Sequence, residues 1–426
     1  MTKDFDQIKR VKGELILPGD KSISHRSVMF SSLAKGDSIV YNYLDSADVN
    51  STMGCFRAMG CEIIKEKDIL RIKGRGLGGL QKPSSNLDAG NSGTTARLIS
   101  GVLCNQAFET IVIGDESLSK RPMKRVIDPL TQMGAKISAT EKNTLPVTFT
   151  PSDNMKAITY ELPVASAQIK SAVALSAIHL DEETVIIERL SSRNHTENML
   201  GLKVESEGLI NKIYVSKRNY PLAGEYFVPS DISSAAFFIV LGLVLPDSEI
   251  IIKNVSLNET RTGILQVLQK MGGDIQILRE DIKAGEKYGD IIVRSSKLTN
   301  IKIDKEIIPN IIDEIPVLSV AGIFAEGNFR IENAEELRVK ESDRIASLCT
   351  NFRRAGLTVD EFNDGFELSG SLTNDKVIFD SFTDHRIAMA FAVLSLIIKQ
   401  GGTVEQFECV AISNPLFLDQ LGTLIL

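Results

Sequence analysis

One supersecondary pattern recurs six times along this chain, and no other feature narrows its fold as far. A turn rich in Pro, Asp, Asn or Ser leads into a helix of small and apolar residues. A Gly or acidic turn follows, and then a β-branched strand. The copies begin at Asp20 (DKSISHRSVMFSSLAKGDSIVYN), Asn91 (NSGTTARLISGVLCNQAFETIVIGD) and Ala165 (ASAQIKSAVALSAIHLDEETVIIE). They return at Ser230 (SDISSAAFFIVLGLVLPDSEIIIKN), Ile315 (IPVLSVAGIFAEGNFRIEN) and Asp384 (DHRIAMAFAVLSLIIKQGGTVEQFE). The spacing of roughly 65–80 residues exceeds that of a solenoid repeat and suits a six-element α/β unit.

A second helix follows in most copies and ends in a related signature: AMGCEI at Ala58, QMGAKI at Gln132, KMGGDI at Lys270 and RAGLTV at Arg354. Gly there fits the left-handed residue that closes a helix before a strand begins. Each copy therefore reads as strand, helix, strand, helix, strand, strand. The helices carrying Ala165–Ala177 and Ala235–Leu245 are apolar nearly all round, which marks helices buried inside a domain. The expected fold is α/β (α+β), with two domains of three βαβαββ units each, packed around buried central helices. The fourth copy starts after the loop YPLAGEYFVPSD, so the expected domains are residues 20–230 and residues 231–426 joined by residues 1–19. The leading strand Gly13–Leu17 is expected to belong to the later domain.

A net charge of −7 argues against a nucleic-acid binder, which needs a basic surface to neutralise phosphates. MTKDFDQIKRVKG is too charged for a secretory signal, and apolar runs such as Ala235 to Pro246 are too short for a bilayer. Five scattered cysteines without a C-x-x-C pair suit free thiols in a reducing cytoplasm. No two of the four histidines sit at helical ligand spacing with a carboxylate, so no zinc is expected, and no cofactor either. The GRGLGG of residues 74–79 matches GxGxxG formally, but Leu-Gln-Lys-Pro follows instead of a helix, which leaves a Gly-rich loop.

Chemistry gathers at the helix starts. LPGDKSISHR places Lys21, Ser22, His25 and Arg26 about one turn from a helix N-terminus, with Asp20 or Ser22 as cap. Backbone amides and the helix dipole favour an anion there, and the cations supply full charge. Asn91-Ser92-Gly93-Thr94 opens a helix with a Gly that admits close backbone approach. Lys120, Arg121, Lys124 and Arg125 cluster around Pro122, Ser166 and Gln168 head an apolar helix, and Arg193 lies in SSRNHTE. Asp313 and Glu314 sit among apolar residues, where a carboxylate needs partners. RVKESDR puts Lys340, Glu341 and Arg344 within one helical turn, and Asp384-His385-Arg386 heads another apolar helix. Caps and surface ion pairs explain each one singly, as in a non-catalytic repeat scaffold. Their shared topological position in both halves favours a site.

LPGDKSISHR, GNSGTTARL, SKRPMKR, ASAQIKSA, NHTENML, RVKESDR and DHRIAMA, in this order, resemble the EPSP synthase family. The resemblance implies two domains of three βαβαββ units with the ligands in the cleft between them. It implies transfer of the enolpyruvyl group of phosphoenolpyruvate to the 5-hydroxyl of shikimate 3-phosphate, in a cytoplasmic, monomeric enzyme. By that resemblance Lys21, Ser22, Arg26, Ser166, Gln168, Arg193, Asp313 and Lys340 hold shikimate 3-phosphate. Lys21, Gly93, Arg121, Gln168, Arg344 and Arg386 hold phosphoenolpyruvate. Asp313 serves as base for the hydroxyl, Glu341 as acid with His385 near, and Lys21 takes part in catalysis. Two phosphates and two carboxylates bring about −5 to −6 of charge, which these cations neutralise without a metal. The chain departs from some members at Asn414, where a nearby Lys contacts phosphoenolpyruvate, at Leu98, where a Pro stands, and at Arg193, where hydroxyl side chains serve. The related UDP-N-acetylglucosamine enolpyruvyl transferases use a Lys-Asn pair and a loop Cys, whereas this chain has Lys21-Ser22 and no Cys between residues 105 and 130.

Overall fold

A computed structural model describes residues 1–425. Two short strands open the chain, β1 (Lys3–Phe5) and β2 (Lys12–Ile16). The first copy supplies α1 (Lys21–Leu33), β3 (Lys35–Tyr41), α2 (Ala47–Ala58), β4 (Glu62–Glu66) and β5 (Ile69–Arg75). The second runs β6 (Leu87–Asp88), α3 (Gly93–Leu103), β7 (Thr110–Ile113), α4 (Lys124–Gln132), β8 (Lys136–Ser138) and β9 (Val147–Thr150). The third runs β10 (Thr159–Glu161), α5 (Ala167–Ala177), β11 (Thr184–Glu188), α6 (His195–Leu200), β12 (Lys203–Glu207) and β13 (Ile210–Val215), followed by β14 (Glu225–Phe227). The fourth holds α7 (Ile232–Val244), β15 (Glu249–Ser256), α8 (Gly263–Lys270), β16 (Asp274–Lys283) and β17 (Glu286–Arg294). Then come α9 (Ile308–Ile311), α10 (Ile315–Ile323), β18 (Phe329–Ile331), α11 (Arg344–Arg354), β19 (Thr358–Phe362) and β20 (Gly365–Ser369). The last copy is β21 (Val377–Asp380), α12 (His385–Ile397), β22 (Gly402–Glu405) and α13 (Phe417–Leu424).

These elements form two compact units. The N-terminal unit is Pro18–Pro229 with Ile282–Glu286, and the C-terminal unit is Met1–Leu17, Ser230–Asp281 and Lys287–Leu426. In the N-terminal unit each copy makes one four-stranded sheet: β14-β3-β5-β4, β6-β7-β9-β8 and β10-β11-β13-β12. The leading strand is parallel to its neighbour in all three, and the other strands are antiparallel. The first copy borrows its leading strand, β14, from the end of the unit. The C-terminal unit repeats the scheme in β16-β17-β15-β2, where β2 lies parallel to β15. Its other two sheets depart from six elements. In β18-β20-β19 the leading strand shrinks to the single parallel bridge Thr299–Glu326, and in β1-β22-β21 the chain's first strand pairs antiparallel to β22.

The local causes repeat as faithfully as the topology. Side chains of Asp20, Ser92, Ser166, Asp231 and Asp384 accept amide bonds at the starts of α1, α3, α5, α7 and α12. Gly60, Gly134, Gly272 and Gly356 follow α2, α4, α8 and α11 with φ between +92° and +98°, a conformation that a side chain opposes. The central helices lie inside: α12 is buried along its whole length, and α5 from Ile169 to Ala177. One apolar cluster gathers around α1, α3 and α5, and a second around α7, α10 and α12. Burial on all sides anchors each central helix, so the polar residues at its N-terminus have a fixed position. The Gly-rich stretch 74–79 is partly regular: Gly74 and Arg75 finish β5, and Gly79 N–H bonds the Gly76 carbonyl in the turn that follows.

Candidate active site

In the N-terminal unit the polar groups collect at the starts of α1, α3 and α5. Asp20, not Ser22, caps α1, accepting from Ile23 N–H at 2.9 Å. Lys21 Nζ rests on Asp48 Oδ2 at 3.1 Å. Arg26 is enclosed: Nε donates to Thr196 Oγ1 at 2.8 Å, Nη2 to Ser171 Oγ at 2.7 Å, and Nη1 to the Ser22 carbonyl at 3.0 Å. Burial brings its pKa down to about 10, with Glu197, Asp20 and Glu286 opposing that fall and Arg193 adding to it. Arg193, half-buried ahead of α6, is thus a second guanidinium in the field of the first. His25 turns away into the core, with Nδ1 2.7 Å from Thr52 Oγ1. Burial pushes its pKa down to about 3, so it is neutral.

At the start of α3, Gly93 lies between two guanidiniums. A Cβ there would stand 2.9 Å from Arg97 Nη1 and 3.7 Å from Arg121 Nη1. Arg121 Nη2 donates to Asn91 Oδ1 at 2.9 Å. Arg97 Nη1 donates to Gln168 Oε1 at 2.7 Å, and Gln168 Nε2 donates to Thr94 Oγ1 at 3.3 Å, which ties the starts of α3 and α5 together. Ser166 caps α5, accepting from Ile169 N–H. Of the basic cluster, Arg121 faces Gly93, while Lys120 and Lys124 pair with Glu116 and Asp128 on the surface. Arg97 is a residue that sequence reasoning passed over. It stands in the quoted GNSGTTARL, one helical turn beyond Gly93, and that spacing is the signal that could have found it.

In the C-terminal unit the organising group is Arg344, at the first position of α11 with a side chain 1% exposed. Its Nε donates to Asp384 Oδ2 at 2.8 Å, Nη1 to Asp313 Oδ1 at 3.1 Å, and Nη2 to Glu341 Oε2 at 2.6 Å. Burial alone would lower its pKa, but Asp384, Glu341 and Asp313 together hold it above the ordinary arginine value. Burial would likewise raise Asp384, and the Arg344 guanidinium wins, leaving that carboxyl below the usual range. Arg386 Nη1 donates to the Asp313 carbonyl at 3.1 Å, and its Nε lies 3.8 Å from Asp313 Oδ1. His385, 1% exposed, opens α12 and adds to the field that holds Asp384 ionised.

The one-turn helical placement of Lys340, Glu341 and Arg344 needs correction. A 3-10 turn, Glu335–Val339, ends at an extended Lys340, and α11 begins only at Arg344, with Asp343 as its cap accepting from Ala346 N–H. Lys340 Nζ sits on Glu336 Oε1 at 2.9 Å, on a side chain 21% exposed. Asn414 is fully buried and donates to Gln420 Oε1 at 2.8 Å, a packing role that brings no cation. Among the described residues, no group of three or more His, Cys, Asp or Glu side chains could hold a metal ion.

Each unit thus presents cations and amides at helix starts, most of the cations resting on a protein carboxylate or amide oxygen. Such an arrangement receives anions by exchanging an internal partner for a ligand. The α/β repeat and its anion-receiving helix starts define a protein of the enolpyruvyl transferase fold. The crystal structure of the enolpyruvyl transferase NikO from Streptomyces tendae matches with a TM-score of 0.73 over 99% of this chain and 96% of that one, at 14% identity. EPSP synthase from Acinetobacter baumannii matches with a TM-score of 0.88 at 38% identity, covering 99% of this chain and 97% of its own. The 3-phosphoshikimate 1-carboxyvinyltransferase of Salinibacter ruber is 46% identical over 426 residues, 99% of each chain. The profile of EPSP synthase (3-phosphoshikimate 1-carboxyvinyltransferase) matches residues 5–421, and the chain belongs to that family. No helix among the described residues is long and apolar enough to cross a membrane.

Proposed function

We propose that this protein transfers the enolpyruvyl group of phosphoenolpyruvate to the 5-hydroxyl of shikimate 3-phosphate, releasing phosphate. The observation that carries the reading is Arg344, held at once by Asp313 at 3.1 Å and Glu341 at 2.6 Å. One guanidinium there adjoins two carboxylates, one placed to take a proton and one that, protonated once donor binding draws Arg344 away, can give one.

In this reading the 5-hydroxyl oxygen adds to C2 of the donor as its proton passes to Asp313, and C3 gains a proton from Glu341. The tetrahedral adduct then loses a C3 proton and the C2–O bond to phosphate, restoring the double bond. Arg121, Arg344 and Arg386 take the donor's phosphate and carboxylate, with Gly93 leaving room and Gln168 steadied by Arg97. Arg26, Arg193, Ser22, Ser166 and Lys340 take shikimate 3-phosphate, and Lys21 leaves Asp48 to serve both ligands. His385 supports Glu341 through the field around Asp384. The local concentration of cations in an acidic protein also draws polyanions in. Five buried free thiols accord with a reducing cytoplasm, and we take the working form to be a monomer.

The test is phosphate release with both substrates together and with each alone. Release with the pair only supports the reading. Release with UDP-N-acetylglucosamine as acceptor instead would move the protein to the sister activity, and silence with both acceptors from a folded sample would refute catalysis.

A further inference from the structure

Arg261 belongs to the stretch NETRTG ahead of α8, which carries no motif, yet its side chain is only 4% exposed and lies in the middle of the C-terminal unit's charged cluster. Its Nη2 donates to Ser233 Oγ at 2.6 Å and lies 3.3 Å from Asp231 Oδ1, both at the start of α7. Its Nη1 stands 4.0 Å from Asp313 Oδ2. The two oxygens of Asp313 therefore face different cations. Oδ1 meets Arg344 at 3.1 Å and Arg386 at 3.8 Å, the guanidiniums assigned above to the donor, and Oδ2 meets Arg261. Glu314, next in the chain, has Oε1 4.0 Å from both Arg261 and Arg386 and accepts from Ser233 Oγ.

We propose that Arg261 is the positioning residue of Asp313, keeping Oδ2 in place while donor binding draws Arg344 and Arg386 off Oδ1. Three guanidiniums on one carboxylate would make it a poor base. When the donor's anionic groups take two of them, Oδ1 becomes basic and open to the 5-hydroxyl proton, and base activation is coupled to donor binding. Arg261 stays because it is held by Ser233 and Asp231 at the start of α7 and, unlike Arg344 and Arg386, is assigned to no donor group. The inference rests on Asp313 being the base of the proposed reaction.

The variants are Arg261→Lys, which keeps a charge but not the two-sided fork, and Ser233→Ala, which keeps the guanidinium and removes its closest anchor. Asp313→Asn serves as the reference. Arg261→Lys should lower kcat about 10–100-fold, leave shikimate 3-phosphate binding by calorimetry within about threefold, and move the acid limb of the kcat profile. Ser233→Ala should lower kcat about 3–10-fold in the same pattern. A kcat within twofold of the parent for both, or kcat and binding falling together with an unmoved pH profile, would overturn the proposal. If Asp313→Asn retains parental kcat, the base assignment itself fails. If that variant is inactive while both others turn over normally, only the positioning role fails.

Discussion

Replacing Gly93 by Ala probes the donor side with little disturbance to the fold. The new Cβ would stand 2.9 Å from Arg97 Nη1, closer than a carbon and a nitrogen tolerate, and 3.7 Å from Arg121 Nη1. The near atom ends a flexible side chain, so Arg97 yields and the backbone stays. Its movement disturbs the 2.7 Å bond to Gln168 Oε1. A hydrogen bond from a charged donor contributes about 1.5–3 kcal/mol. If most of that is expressed in donor binding, at about 1.4 kcal/mol per decade, KM for phosphoenolpyruvate rises about 10–100-fold. Arg26 and Arg193 lie at other helix starts while Gln168 is assigned to both ligands, so KM for shikimate 3-phosphate should rise less than KM for phosphoenolpyruvate. The φ of Gly93 is not among the positive ones, and Ala is the better helix former by about 0.5–1 kcal/mol. The melting temperature should therefore hold or rise. Steady-state kinetics with each substrate varied, beside thermal melts, decide the matter. An unchanged KM for phosphoenolpyruvate, or equal rises for both substrates, would refute the placement of the donor beside Gly93.

Other expectations concern the buried groups. His25 has its folded pKa near 3, below the unfolded value of 6.5, so its contribution to stability is complete above pH 6.5 and is lost as pH falls toward 3. At pH 5 the loss from this residue is about 2 kcal/mol, and His25→Gln should flatten the urea-unfolding profile between pH 7 and 5 by that amount. An unchanged slope would contradict a neutral buried imidazole. Lys170, 1% exposed, sits between Glu188 at 2.9 Å and Glu197 at 2.6 Å. Lys170→Met leaves two carboxylates buried without their cation and should lower unfolding free energy by about 3–5 kcal/mol in urea titrations, whereas a loss below about 1 kcal/mol would mean the acids find other partners.

Much of the fold was legible because its causes are local and repeated: an acidic or hydroxyl cap, a small-residue helix, a Gly at the end of the second helix, a β-branched strand. What escaped was long-range. Pairing of β1 with β22 joins residues about 400 positions apart, and the shrunken leading strand at Thr299 leaves only one bridge. The return of Ile282–Glu286 to the N-terminal unit, where Glu286 meets His195 Nδ1 at 2.9 Å, also gives no local signal. In the site, Arg344, Arg386 and Asp313 share one cluster, and Arg121 lies near Gly93, all at helix starts that the repeat had marked. His25 shares the stretch of Lys21 and Arg26, but orientation into a polar core pocket is set by packing against Thr52, which no spacing reveals. RVKESDR reads as one helical turn because its charges stand at helical spacing, yet the 3-10 turn ends at Val339 and Asp343 caps α11, so Lys340 and Glu341 lie in the link between them. Arg261 has no pattern at all. Its role comes from three segments meeting.

The central claim is that Asp313 and Glu341 move protons on a shared pair of substrates, with the donor protonated at C3. The direct measurement is turnover in D2O, with deuterium followed by NMR at the vinyl carbon of the product and at C3 of recovered phosphoenolpyruvate. Deuterium should enter both only when shikimate 3-phosphate is present, and Asp313→Asn and Glu341→Gln should each suppress it by a factor of about 100 or more. Product free of deuterium, or exchange into phosphoenolpyruvate with no acceptor present, would contradict the account.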